Sequence, residues 1–230
     1  MTNDTSKATD DAVGRFRENF RRDHIGQRYQ GNLHFAFTVS VSLLVICWCV
    51  ALLGAVSTLE WLTIPATFLY ANAVEYLGHR GPMHHPTRGL QLVFTRHAQQ
   101  HHRFFTDTNM QFDSPVDYKA VLFPPVLVIF YLGAFALPMG ILIGWLATEN
   151  TALLFIATAV AYFLNYELLH FAYHTSQDSW VARIPGMGKL RMLHTMHHRR
   201  SLMQHYNFNI TYPICDRLFG TLYTKNPDET

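Results

Sequence analysis

Residues 35–56 read F-A-F-T-V-S-V-S-L-L-V-I-C-W-C-V-A-L-L-G-A-V, 22 positions without a charged side chain. As a helix this run extends about 33 Å, enough to cross the roughly 30 Å hydrocarbon core of a bilayer. Its length and late start argue against a secretory signal, whose apolar part covers about 7–15 residues near the N-terminus. Three further apolar runs follow. Residues 61–77 are interrupted only by Glu75, and residues 151–169 only by Glu167. Between them, residues 120–148 carry no charge but hold Pro124, Pro125 and Pro138, which predicts a kinked helix or a helix with a re-entrant piece.

The basic residues orient these runs. Six lie before residue 35 (Lys7, Arg15, Arg17, Arg21, Arg22, Arg28) and five in the middle block (Arg80, Arg88, Arg96, Arg103, Lys119). The remaining seven of the 18 lie in the C-terminal block (Arg183, Lys189, Arg191, Arg199, Arg200, Arg217, Lys225), and the connectors at 57–60 and 144–150 hold none. Positive residues favour the cytoplasmic side. Two helical hairpins place all of them there, whereas an odd number of spans exposes one block. The expectation is an all-α integral membrane protein, with four transmembrane helices in two hairpins and a cytoplasmic helical cap. Residues 1–34 are expected as a cytoplasmic tail, disordered to about residue 14 with an interfacial helix or solvated segment over 15–30. Residues 35–225 form the membrane-embedded domain, and 226–230 a C-terminal tail.

Composition narrows the function. Charged residues make up 15% of the 230, well under the roughly 25% of soluble domains. A net charge of +2 gives no reason to expect nucleic acid as a partner, and Cys47, Cys49 and Cys215 make no disulfide framework. At this length an electron-transfer domain fused to a catalytic one is not expected. The anomaly is 14 histidines. Twelve lie in the two blocks read as cytoplasmic; only His24 and His34 fall outside, and these are expected to be dispensable.

The histidines come in four groups. E-Y-L-G-H-R-G-P-M-H-H-P (75–86) supplies His79, His84 and His85, and R-H-A-Q-Q-H-H-R-F-F (96–105) supplies His97, His101 and His102. N-Y-E-L-L-H-F-A-Y-H (165–174) supplies His170 and His174. L-H-T-M-H-H-R-R-S-L-M-Q-H-Y-N-F-N (193–209) supplies His194, His197, His198 and His205. Residues three and four apart share a helix face, so His97/His101, His170/His174 and His194/His197/His198 can each serve one centre. Helix is not expected to continue through Gly81 and Pro82, so His79 and His84 would close through a turn. Glu75 and Glu167, one turn before His79 and His170, are candidates to orient an imidazole's other nitrogen. His85, next to His84, points elsewhere and is a candidate to sit behind the ligands and support one of them, or to be solvated, and His205 is placed to orient a ligand or touch substrate. Ten or more imidazoles exceed the needs of one metal, which points to two. A carboxylate-rich di-iron bundle uses two Glu-x-x-His motifs, and only Glu167–His170 has that form.

The spacing His79-x4-His84, His97-x3-His101-His102, His170-x3-His174 and His194-x2-His197-His198 resembles the integral-membrane fatty acid hydroxylase/sterol desaturase superfamily, over about residues 60–225. Y-N-F-N at 206–209 and D-R-L-F-G-T at 216–221 are similar to that family's last motifs. H-R at 79–80, L-F-P-P-V at 122–126 and Y-E-L-L-H-F-A-Y-H at 166–174 resemble the fatty acid 2-hydroxylases most. Two departures stand out: one extra residue after His97, and Asn209 where the family has glycine.

The resemblance implies hydroxylation of an unactivated C–H bond of an acyl chain or other lipid. No side-chain acid or base performs that reaction, so a redox metal that activates O2 is required. Two iron ions are expected, with zinc as an alternative occupant as isolated. His79, His84, His97, His101, His102, His170, His174, His194, His197 and His198 would be the ligands. The implied partners are a lipid or fatty acyl substrate, the membrane, and an external electron donor of cytochrome b5, ferredoxin or flavoprotein type. Phe104, Phe105 and Trp180 are expected as interfacial anchors or as the lining of the substrate's path. The lack of a targeting peptide points to a bacterial inner membrane, with the endoplasmic reticulum as the eukaryotic counterpart. Competing readings are a lipid or sterol desaturase or methyl oxidase, a carotenoid or alkane hydroxylase, and a metal transporter or sensor. Transporters place polar ligands near the bilayer midplane, whereas these spans hold histidine only at one end.

Overall fold

The computed structural model describes residues 2–224, with side chains from residue 11; the expected tail at 226–230 lies outside the described residues. The principal helices are α1 (Thr2–His24), α2 (Gly31–Ala51), α3 (Thr63–Gly78), α4 (Pro125–Leu146), α5 (Glu149–Tyr173), α6 (Met187–His197) and α7 (Ile214–Leu218). Among the described residues there is no strand, only an isolated bridge between Thr106 and Asn109. Among the described residues two compact units are formed, one from residues 32–74 and 122–168, the other from residues 2–31, 75–121 and 169–224.

The first unit is apolar. Three helices, α2, α4 and α5, are long and apolar enough to cross a membrane. The fourth expected span corresponds to α3, whose 16 residues extend about 24 Å and fall short of the bilayer core alone. Trp48, Ile141, Trp145 and Leu146 lie exposed on α2 and α4, an arrangement a water-soluble surface does not tolerate over such an area. Inside, Cys49, Ala136, Phe155, Ile156 and Val160 form the core. Helices α4 and α5 meet closely at Gly140, where a Cβ would stand 2.4 Å from Ile156 Cδ1. The prolines resolve into one continuous α4. Pro125 opens it, where its missing N–H is harmless, and the turn Leu132–Ala136 widens to a π-helix just before Pro138. The connectors are joined: Asn150 accepts from Gly54 N and donates to Ala55 O, and Thr148 Oγ1 donates to Glu60.

The second unit holds all twelve clustered histidines. The N-terminal segment is part of it: α1, which runs from Thr2 into the 15–30 stretch expected as a helix or solvated segment, docks by Phe20 and Phe16 on Phe104, Phe105, Ala120 and Val121. Two buried charges accompany this contact. Asp117, fully buried, takes both oxygens' bonds from Arg21 at 2.8 Å. Arg17 is buried beside Asp113. Gly31 closes the segment at a point where a Cβ would lie 1.7 Å from Pro115 O.

Candidate metal centre

Ten histidines are buried together, and they are the ten of the motif spacing. Two sets emerge. In the first, ligand-capable nitrogens of His79, His84, His97, His102 and His197 all lie within 4.8 Å of one another. In the second, those of His101, His170, His174 and His194 do so. His198 joins the second set, its Nε2 being 3.0 Å from that of His194 and 3.1 Å from that of His101.

Local backbone geometry decides which histidine joins which set. His79–Met83 and Thr95–His101 are π-helical turns, in which the wider spiral brings residues five apart onto one face. The chain therefore stays helical through Pro82, contrary to the sequence expectation, because the widened turn accommodates the missing N–H and the ring. His79 and His84, five apart, have ring centroids 5.1 Å apart. His97 and His102, also five apart, have Nε2 atoms 3.0 Å apart. The second set instead takes His170/His174 and His194/His198, four apart at the ends of ordinary α-helices, with His174 and His198 the residues just past each end. The pairing by three- and four-residue spacing is corrected accordingly: His97 and His101 belong to different sets, as do His194 and His197. The extra residue after His97 is the residue that the π-turn absorbs.

The hydrogen-bond pattern fixes which nitrogens face inward. Nδ1–H donates to a main-chain carbonyl in five rings: His79 to Phe208 at 2.5 Å, His197 to Tyr206 at 2.9 Å, His101 to Ala120 at 2.9 Å, His174 to Met110 at 2.7 Å and His198 to Phe105 at 2.9 Å. A carbonyl only accepts, so each of these rings presents a bare Nε2 lone pair. His101 and His198 thus direct two lone pairs at each other across 3.1 Å. Such a contact is repulsive unless a cation lies between. His84, His102 and His194 also bury Nδ1 without a hydrogen-bond partner. Across both sets, neighbouring Nε2 atoms are 2.8–3.1 Å apart. Two nitrogens bound at about 2.1 Å to one metal stand about 3.0 Å apart when their bonds are at right angles, and about 3.4 Å apart in a tetrahedron. The donor set therefore offers two groups of imidazoles, each of which would be able to hold a metal ion. Burial holds His79, His97, His101, His102, His174, His194 and His198 well below the usual imidazole range, with neighbouring imidazoles adding to the effect. The same burial lowers His84 to about 2 and His197 to about 4. All are neutral, the form that binds metal.

Behind the imidazoles, loops are held by groups that sequence reasoning placed differently. Glu75 accepts from Ile210 N, Thr211 N and Thr211 Oγ1. It supports the loop whose Phe208 carbonyl holds His79. Glu167 accepts from Phe123 N in the apolar unit. In the five rings above, the orienting acceptors are main-chain carbonyls, which no side-chain pattern announces. Asp216 ties the same loop by accepting from Phe208 N, Asn209 N and Thr221 Oγ1. Asn209 keeps a negative φ and uses Oδ1 to accept from Cys215 N and Asp216 N, so its departure from glycine caps α7. The left-handed residue is Asn207, at φ 56°. His24, His85 and His205 are exposed. His34 is buried in the apolar unit and donates Nε2–H to Phe123 O at 2.9 Å. Phe104 and Phe105 are fully buried, with the Phe105 ring tilted against that of His174 at a centroid distance of 4.1 Å, so they are core rather than interfacial anchors. Trp180 is 74% exposed.

Helices long and apolar enough to cross a membrane, together with buried imidazole clusters of this kind, define a membrane protein built around a candidate metal site. The chain belongs to the fatty acid hydroxylase family, whose model matches residues 64–221. Among solved structures, full-length Scs7p, in which only the hydroxylase domain is visible, is similar in fold: TM-score 0.57 at 21% identity, over 81% of this chain and 64% of that one. A search of curated proteins by sequence finds no match.

Proposed function

We propose that this chain is an O2-dependent di-iron hydroxylase that inserts one oxygen into an unactivated C–H bond of a fatty acyl chain, after the manner of the fatty acid 2-hydroxylases its motifs resemble. The carrying observation is the set of ten buried imidazoles whose bare Nε2 atoms converge without a carboxylate among them. Bound iron supplies the O2 activation that C–H cleavage demands. Stoichiometry then requires two electrons and two protons from outside: one oxygen atom enters the lipid and the other leaves as water. An external cytochrome b5-, ferredoxin- or flavoprotein-type donor meets the electron requirement.

The chain's own residues have three tasks in this reading. Five main-chain carbonyls fix the tautomer and direction of their imidazoles, which is worth about 10–100-fold in metal affinity per contact in comparable sites. The ten rings, all nine-tenths or more buried, keep bulk water from the centre. Helices α2, α4 and α5 hold the chain in the bilayer, where acyl substrates reside. The joined connectors support a two-hairpin topology in which α3 is the fourth span. In that topology the histidine unit faces the cytoplasm.

Lipid mass spectrometry of cells with and without the expressed gene tests the proposal. A lipid carrying one additional oxygen is expected. Loss of two hydrogens instead would identify the desaturase reading, and an unchanged lipid profile in metal-loaded membranes supplied with reductant would refute oxidation altogether.

A further inference from the structure

Arg17 lies outside the family-matched residues 64–221, on a helix to which the sequence assigned no role beyond charge. Its guanidinium is buried, and its bonds are unlike those of a surface ion pair. Nε donates to Phe104 O at 2.9 Å and Nη2 to Asn109 O at 2.8 Å, while Nη1 faces Asp113 at 3.4 Å. The plane lies 4.8 Å from the centre of the Phe104 ring and 5.5 Å from that of Phe105. The two gripped carbonyls each sit one residue before a carbonyl that holds a histidine. Phe105 O takes the Nδ1–H of His198, and Met110 O takes that of His174. Both rings belong to the second set. The first set has its own support, the loop 206–211 held by Asp216 and Glu75.

We infer that Arg17 is a positioning residue for one of the two metals: α1 reaches through this fork to fix the 104–110 loop and so aims His174 and His198. The inference rests on the two-metal reading above. Loss of the fork frees the loop and releases the second-set metal, while the first-set metal stays.

The test is iron and zinc content of the purified full-length chain, measured without reference to turnover. Wild type should hold about two equivalents; a value of one would refute the two-metal reading itself. Given two, Arg17→Met should hold about one. Combining it with His174→Ala should remove nothing more, whereas combining it with His84→Ala should leave none. Arg21→Met removes neighbouring ion pairs but no carbonyl contact, and should retain two. Arg17→Lys keeps the charge without the fork, so its second equivalent should bind about 10–100-fold more weakly and return when metal is added. Two equivalents in Arg17→Met, loss of both, or an equal loss in Arg21→Met would each overturn the assignment.

Discussion

At the scale of the residue, histidines of equal chemistry have unequal surroundings. A ring whose Nδ1–H is spent on a carbonyl has one use left for Nε2, and burial keeps that nitrogen unprotonated. Alanine at any of the ten buried positions is expected to lower metal content and abolish product, checked by metal analysis and lipid assay at equal expression. His24→Ala, His85→Ala and His205→Ala, all at exposed sites, should leave both unchanged. His34→Ala should retain metal but lower thermal stability, since it leaves the Phe123 carbonyl unpaired at about 1–3 kcal/mol. Asp216→Ala should destabilise more, because the amides of Phe208 and Asn209 are orphaned together. A melting shift no larger than that of His34→Ala would contradict this. The residue identities of the centre were legible in the sequence because imidazole has few reasons to recur at helical spacings beside apolar runs. The carbonyls of Phe105, Met110, Ala120, Tyr206 and Phe208 were not, since any residue supplies one. The partners of Arg17 and Arg21 lie about ninety positions away and left no local trace.

At the scale of the element, the π-turns carry the argument. A π-turn is the form a helix takes when one residue is added without shifting the register beyond it. Deletion of Ala98 should therefore return Thr95–His101 to ordinary α-helix, with the spacing H-x2-H-H and the three rings still directed inward. Metal content near that of wild type is expected. Deletion of Thr195 from α6, which has no such slack, should abolish it. If the Ala98 deletion also empties the site, the π-turn is required rather than accommodated. Helix contacts in the apolar unit are equally specific. Gly140→Val would drive its side chain into Ile156 and should lower the melting temperature in detergent, whereas Gly133→Ala meets open space and should not. Long uncharged apolar runs disclosed α2, α4 and α5, but sequence reading did not show where the helix widens. It missed the π-turns, whose hydrophobic pattern over five to seven residues does not differ from that of α-helix.

At the scale of the whole molecule, hydropathy and charge spoke clearly about membrane residence and less clearly about the number of crossings. The 16 residues of α3 explain why: its apolar run passes directly into the His79–Met83 turn, so the helix trades spanning length for the site. Cysteine labelling checks the topology. Ser57→Cys and Glu149→Cys should react only from the side opposite the histidine unit, and labelling of either from the cytoplasmic face would contradict two hairpins. The docking surface of the N-terminal helix, Phe104 to Asp117, was not legible in the sequence because it is assembled only on folding. The central claim is that the ten-imidazole centre transfers oxygen from O2 to a lipid C–H bond, and isotope labelling reads it directly. Membranes containing the chain, supplied with iron, reductant and 18O2, should yield a lipid with one labelled oxygen, absent from His102→Ala and His174→Ala membranes. Unlabelled product, or labelled product in equal yield from those variants, would contradict it.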